Sequence, residues 1–422
     1  MGYMKDATGR RLDSFAVTPL RTPTIVLFGD SRTGDCDYQP NALLRYSTNT
    51  SWFDWGQAFR QGGPVLDVIA NAGVGGNTTT QMLARIEADV FALSPSHMTL
   101  WGGTNDGWPD TAAVEASFGR MAQMMDMARA RGIYVFVISE TTANSKGSGY
   151  PRQVAYYNDL LRAYAATNSG VEFWDFNQHV TDPTSANGYH KSIMLRDGLH
   201  LSPYGASYLG REVVASRLAR FGTDLAQLPA SQIDTINVGS PSRQIANNPL
   251  MLGTSGTVPG SAGWSGQAPQ SWAVSAGSSN VSAAQSVPAR TDGIGNALRA
   301  EITAVAAGSH YLTQTVDPTR LVAGAKYVLE AACKLEANTG LSHLSLTARI
   351  TAPAGNHVFG WGLATIAPQA SDSIVAGDLV LRSRAFVAPV GATGLSVVRQ
   401  MTFGGAGSAP EELSRLALRR IA

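Results

Sequence analysis

A serine, a histidine and a carboxylate can together move an acyl group, and the sequence holds one such set in favourable surroundings. Ser31 ends the run Ile25-Val26-Leu27-Phe28-Gly29-Asp30-Ser31. Four consecutive apolar residues predict a short buried strand. A hydroxyl two residues past its terminal glycine faces the crevice where open α/β sheets place ligands. Asp197 lies three residues before His200, in Asp197-Gly198-Leu199-His200. An acid at that spacing can lie on the same side of a turn and bond one ring nitrogen, leaving the other to take a proton from a serine. His97, His179, His190, His310, His343 and His357 lack this setting and read as polar or packed residues. Gly-Asp-Ser alone is equally a strand followed by a polar turn, and Ser202-Pro203 is equally a helix cap.

Acyl transfer also needs donors for a developing oxyanion. Asn71-Ala72-Gly73-Val74-Gly75-Gly76-Asn77-Thr78 falls between a predicted strand and a helix N-terminus, where exposed backbone N–H groups can hold negative charge. A nucleotide-binding loop is the rival. The dinucleotide fingerprint fails at Thr78, where its last glycine belongs, and no Gly-Lys-Ser/Thr ending is present. Gly102-Gly103-Thr104-Asn105-Asp106 also follows a strand, and the Asn105 amide can donate to an oxyanion. A plain Asx turn is the alternative there.

The elements that must position these clusters alternate from Thr22 to about Gly222. Strands are predicted at 24–28, 65–70, 98–101, 133–138 and 171–176, and helices at 78–93, 111–131, 154–166 and 204–221. A long polar segment follows the first strand. Thr78 or Thr79 can cap the first of these helices, and Met82, Leu83, Ile86, Val90 and Phe91 share one of its faces. Such alternation implies right-handed βαβ units, a parallel sheet and helices on both faces. Past residue 222 periodicity is lost over 223–262. Short alternating segments then recur at 271–275, 297–305, 311–316, 327–335, 344–350, 379–387, 395–403 and 413–421. About eight short strands with glycine-rich turns predict an antiparallel sandwich of jelly-roll type.

The chain has 422 residues, 44% hydrophobic and 15% charged, with net charge +1. That length supports two or three cores. The charge balance argues against nucleic acid or an anionic membrane as a partner recruited by bulk charge. Cys36 and Cys333 read as two free thiols. No segment is apolar over the length of a signal peptide or a bilayer span. No cluster of His, Cys, Asp and Glu has metal-ligand spacing, so neither a metal nor another cofactor is expected.

Together and in this order, the motif blocks resemble the GDSL or SGNH hydrolase family over about residues 22–222. Gly29-Asp30-Ser31 matches its nucleophile block. Gly76 falls on its oxyanion glycine and Asn105 on its oxyanion asparagine, while Asp197 and His200 match its acid and base. The resemblance implies a flavodoxin-like three-layer α/β fold and hydrolysis through an acyl-Ser31 intermediate. His200 then serves as base and acid, and Asp197 orients it. The Ser31 and Gly76 backbone N–H groups and the Asn105 side chain serve as oxyanion donors. Activity is expected to fall as His200 becomes protonated. Arg32 and Thr33 stand where many members carry an apolar residue, which weakens a lipid-type specificity. The Gly-x-Ser-x-Gly elbow of a separate hydrolase family is missed at Thr33.

The expected organisation is an N-terminal arm over 1–21, the hydrolase domain over 22–222, a linker over 223–246 and an all-β domain over 247–422. Asn247-Asn248-Pro249-Leu250, Gly263-Trp264 and the strand series resemble jelly-roll carbohydrate-binding modules in pattern. Trp264, Trp272, Tyr311 and Trp361 could stack on sugar rings there, although aromatics in sandwiches more often fill the core. Trp52, Trp55, Trp108 and Tyr189 are expected to wall the crevice around Ser31. An esterase joined to such a module points to removal of acyl groups, chiefly acetyl, from a polysaccharide. The rivals are an esterase for small or lipid esters with a structural sandwich, which could also form a homo-oligomer interface, and a phage-tail or surface glycan-binding protein with minor hydrolysis. The N-terminal segment also resembles lead-ins of phage tail proteins, which fits an extracellular or virion-associated location.

Overall fold

The computed structural model describes residues 23–41, 43–143, 146–147, 149–222, 224–232, 244–363 and 368–421. The expected N-terminal arm lies outside them, as does part of the expected linker. Strand β1 (Thr24–Gly29) runs into a single helical turn, α1 (Ser31–Gly34). A hairpin follows, β2 (Asp37–Asn41) and β3 (Leu44–Ser47), and then helix α2 (Trp52–Phe59). Next come β4 (Asp67–Gly73), α3 (Thr79–Asp89), β5 (His97–Trp101), α4 (Thr111–Arg129), β6 (Tyr134–Ile138), α5 (Tyr150–Thr167) and β7 (Val171–Trp174). Helices α6 (Asn177–Val180), α7 (Pro203–Leu209) and α8 (Ser216–Leu218) complete the α/β half.

Five of these strands pair in parallel in the order β4-β1-β5-β6-β7, the 2-1-3-4-5 sequence of flavodoxin-like sheets. Val26 and Phe28 of β1 share a core with Met82 and Ile86 of α3, Met121 and Met125 of α4, and Leu161 of α5. Ile25 and Leu27 belong to the opposite core, with Trp52 and Trp55 of α2 and Leu209 of α7. Burial on both faces is why β1 reads as an unbroken apolar run rather than an alternating one. Helix α2 crosses the 203–218 segment closely. A Cβ at Gly56 would collide with Val214, and one at Gly210 with Trp55, so two glycines let these backbones approach. In register, Gly29 lies beside Gly73 on one flank and Trp101 on the other. The loops after β1, β4 and β5 therefore emerge side by side at one end of the sheet.

The second half contains β8 (Ser255–Thr257), β9 (Trp264–Gly266), β10 (Ala268–Ala276), β11 (Val281–Ser286), β12 (Leu298–Ala304) and β13 (Gly308–Thr315). It continues with β14 (Lys326–Leu335), β15 (Thr339–Ala352), β16 (Gly355–Trp361), β17 (Gly377–Arg382), β18 (Phe386–Val387) and β19 (Gly394–Arg420). They form a 14-stranded, mostly antiparallel sheet that also takes in β2 and β3. The predicted strands 395–403 and 413–421 are one 27-residue strand, β19. Its first part pairs with β13 and β15, its second with β12 and β14. Conversely, the predicted strand 379–387 is broken into β17 and β18. Between them Arg384 leaves the ladder to reach Asp37 and, at 3.0 Å, Asp54.

The polar segment expected after Ser31 holds α1 and the β2–β3 hairpin. Leu44, Arg45 and Tyr46 pair in parallel with Val358, Phe359 and Gly360 of β16. Trp55 packs edge-on against Trp361, with ring centroids 4.6 Å apart. The Leu344 N–H donates to Asn49 Oδ1 at 3.2 Å. One hydrophobic core thus runs from the parallel sheet into the β-rich half. Cys36 and Cys333 are buried and unbridged. No described helix is long and apolar enough to cross a membrane.

Candidate active site

Ser31 opens α1, directly after the residue that caps it. The Asp30 side chain accepts the Arg32 N–H at 3.0 Å, and the Asp30 N–H donates to Trp101 O at 3.2 Å, which ties the turn to the end of β5. On the far side, Met194–Ser202 folds back on itself. The Ser202 N–H donates to Met194 O at 3.0 Å and the Arg196 N–H to His200 O at 2.9 Å. Ser202 also caps α7 through the Gly205 N–H at 2.9 Å, so this motif has a structural duty as well. The fold-back brings His200 Nε2 within 2.8 Å of Ser31 Oγ. The other ring nitrogen, Nδ1, lies 2.8 Å from Asp197 Oδ2. Asp197 Oδ1 accepts the backbone N–H groups of His200 at 2.8 Å and Leu199 at 3.1 Å. Partial burial pushes the Asp197 carboxyl up, but these donors and the His200 ring hold it below its ordinary value. A carboxylate kept ionised in this way fixes Nδ1 as the protonated nitrogen and leaves Nε2 to accept the Ser31 proton.

Two loops approach Ser31 from the neighbouring strands. After β4, the Asn77 N–H donates to Val74 O at 3.2 Å, which closes a turn with Gly76 at its third position and φ of +76°. That position of such a turn takes glycine because only glycine adopts the conformation freely. A side chain at Gly75 would begin 3.9 Å from Ser31 Cβ, so this turn lies over the serine. After β5, the Asn105 amide donates to Asn77 O at 3.1 Å. The same amide nitrogen has a second hydrogen available for an oxyanion. Asp106 anchors both loops. It accepts the Thr79 N–H at 2.9 Å, the Thr79 hydroxyl at 2.6 Å and Arg120 Nη2 at 2.9 Å. Thr78 caps α3 in a reciprocal capping box with Gln81.

A family model described as GDSL-like lipase/acylhydrolase matches residues 27–207. Residues 27–207 are a GDSL-like lipase/acylhydrolase domain. The β-rich region beyond the match carries no family assignment. Solved structures similar to the chain include a GDSL-like lipase from Bacteroides thetaiotaomicron, 23% identical over 47% of this chain and 88% of that one, with a TM-score of 0.36. A catalytic mutant of an acetylxylan esterase from Geobacillus stearothermophilus is 17% identical over 49% of this chain and 97% of its own, with a TM-score of 0.37. No curated protein matches the chain.

In this GDSL domain, Arg32, the departure noted in the nucleophile block, is fully buried. Its guanidinium pairs with Asp30 Oδ2 at 2.6 Å, with Asp30 Oδ1 at 3.1 Å and with both oxygens of Glu140, and lies 4.4 Å over the Trp101 ring. Burial works to lower the Arg32 pKa, but the charges of Asp30 and Glu140 raise it well above its ordinary value. Burial likewise pushes the Glu140 carboxyl up, against the pull of Arg32. A cation locked between two acids stiffens the turn that carries Ser31 and is closed to substrate. Sequence patterning did not reveal Glu140, because a polar run after a strand reads as an ordinary loop and its partner Arg32 lies 108 residues away. Nor did it reveal the Arg196–Asp35 ion pair at 2.7 Å, which ties the His200 loop to the end of α1.

The aromatic residues expected to wall the crevice fare differently. Trp52 and Trp55 are fully buried, packed on Trp101, Phe176 and Trp361 because α2 is enclosed between the two halves. Trp361 is buried by the same contact, and Trp272 lies inside the β-rich half. Trp108 is buried against Tyr150 and Tyr157, where its ring closes on Gly103 beneath the Asn105 turn. These five cannot stack on a sugar. Tyr189, Trp264 and Tyr311 are half-buried. Among the described residues no group of three His, Cys, Asp or Glu side chains could hold a metal ion.

Proposed function

We propose that this protein is a serine esterase that removes O-acyl groups, chiefly acetyl, from a carbohydrate. The 2.8 Å links from Ser31 Oγ to His200 Nε2 and from His200 Nδ1 to Asp197 carry this reading. Ser31 Oγ attacks the ester carbonyl while His200 takes its proton. The tetrahedral oxyanion accepts hydrogen bonds from the Ser31 and Gly76 N–H groups and the Asn105 amide. His200 returns the proton to the leaving sugar hydroxyl, and water then releases the acid from Ser31 by the same steps reversed in role. Partly exposed Tyr189 and Tyr311 support carbohydrate recognition as aromatic side chains with access to solvent. A second reading, an esterase for small esters with a structural β-rich half, is favoured by the shared core at Trp55 and Trp361.

Acetate release from acetylated glycans, compared with p-nitrophenyl esters of rising chain length, separates the two. Release from the glycan at rates matching or exceeding those on p-nitrophenyl acetate is the expected result. Turnover confined to p-nitrophenyl esters overturns the carbohydrate substrate. Retention of the glycan with no turnover of either substrate overturns hydrolysis.

A further inference from the structure

We propose that Arg85 is a positioning residue that sets the oxyanion hole against Ser31. The assignment rests on Ser31 acting as an esterase nucleophile. Arg85 stands on α3, about two helical turns past the glycine turn, and its side chain is 17% exposed. Its Nη2 donates to Gly29 O at 2.7 Å, at the end of β1. Nη1 donates to Ala72 O at 2.7 Å, at the end of β4. Nε donates to Asn77 Oδ1 at 2.7 Å, in the oxyanion loop. The guanidinium lies 4.4 Å over the Phe28 ring, and Asp89 Oδ2 accepts a further bond from Nη1 at 2.7 Å.

Each gripped atom is close in the chain to an oxyanion donor. Gly29 is two residues from Ser31. Asn77 follows Gly76, and its carbonyl holds the Asn105 amide at 3.1 Å. Gly29 O also accepts the Val74 N–H at 3.0 Å, so one carbonyl receives both the oxyanion loop and its clamp. All three oxyanion donors are thereby referenced to one planar group. Guanidinium suits this task because its donors are fixed in a fork, whereas an ammonium is a point that cannot reach three separate acceptors in set directions. Preorganised donors act only where the oxyanion forms, so a shift on the order of 1 Å appears in kcat.

The test uses the whole chain with p-nitrophenyl acetate. Arg85→Met keeps an unbranched side chain of similar length and removes the fork. It is expected to lower kcat by about 10²-fold with KM within about twofold. Arg85→Lys should recover only part of that loss. Asp89→Asn, which removes the outer partner alone, should keep kcat within about threefold. Thermal unfolding is followed for each variant. An Arg85→Met protein with wild-type kcat per folded molecule overturns the clamp, as does an equal loss in Asp89→Asn. Where Arg85→Met fails to fold, Asn77→Ala removes one gripped atom with Arg85 present, and unchanged kcat there overturns it as well. Wild-type protein no faster than Ser31→Ala overturns the nucleophile and the clamp together, whereas an active wild type with an indifferent Arg85→Met overturns the clamp alone.

Discussion

The two halves of the molecule hold the same polar residue types in opposite settings. His200, with 22% of its side chain exposed, has a carboxylate on one nitrogen and a serine hydroxyl on the other. His310 is fully buried in the β-rich half. It has Arg399 Nη1 at 2.9 Å on Nδ1, Gln285 at 3.4 Å on Nε2, and Trp264 stacked on its face. Burial first, and then the Arg399 charge, drive the His310 pKa well below its ordinary value. In general an anion beside an imidazole favours its protonated form, and a cation beside it opposes that form. A histidine is thus a base or a packing group according to the sign of its neighbour and its access to solvent.

Replacing Ser31 tests this contrast most severely. Ser31→Ala is expected to cut ester hydrolysis by about 10⁴-fold or more while the melting temperature stays put. His310→Gln, in contrast, should leave kcat within about twofold. An active Ser31→Ala protein, or an inactive His310→Gln one that is still folded, would erase the distinction.

The buried arginines sharpen it. Arg32→Met strands Asp30 and Glu140, and Arg399→Met strands Glu411, whose ion pair spans 2.8 Å. Each change should cost about 3–5 kcal/mol in urea unfolding, because buried acid is left without its cation. Only Arg32→Met should also lower kcat per folded molecule, since only that network underlies Ser31. Equal effects on kcat would mean that the β-rich half reaches the chemistry.

Acidification gives the smallest effect. Burial lowers the pKa of His343 in the β-rich half to about 4, and that of His97 at the start of β5 to about 4. An unfolded chain binds these protons near pH 6.5, so it holds more protons than the folded one between the two values. Stability therefore falls as pH drops through that window, and the loss is complete below it. Glu140 and Glu411, pushed up by burial, work the other way, so His343→Gln is compared with its parent at each pH. The variant should lose about 1–2 kcal/mol less between pH 7 and pH 5. Identical slopes would remove His343 from the account.

Much of the α/β half was legible in the sequence. The buried strand, the glycine turn and the Asp197–His200 spacing each carry a local signal, and local signals survive without tertiary knowledge. What escaped was non-local. Arg85, Arg120 and Arg196 carry no local signal, because most of their partners lie on other elements. Trp52 and Trp55 looked like crevice walls because they sit near a motif, and only the packing of α2 between two halves buries them. The break between β17 and β18 depends on Arg384 reaching Asp54, which no window of sequence contains.

The β2–β3 hairpin has a consequence for assembly. It leaves the α/β half just after the Ser31 turn, and its partners lie far down the chain: the Gly362 N–H reaches Ser47 Oγ across 315 residues, at 3.1 Å. Closing so long a loop is entropically costly and slow relative to local pairing. On a ribosome, Ser31, Asp197 and His200 have all emerged before β16 exists. Asp54 and Asp37 likewise wait for Arg384. The flank of the nucleophile turn therefore stays an open strand edge until β16 is made, long after Ser31 and His200 themselves.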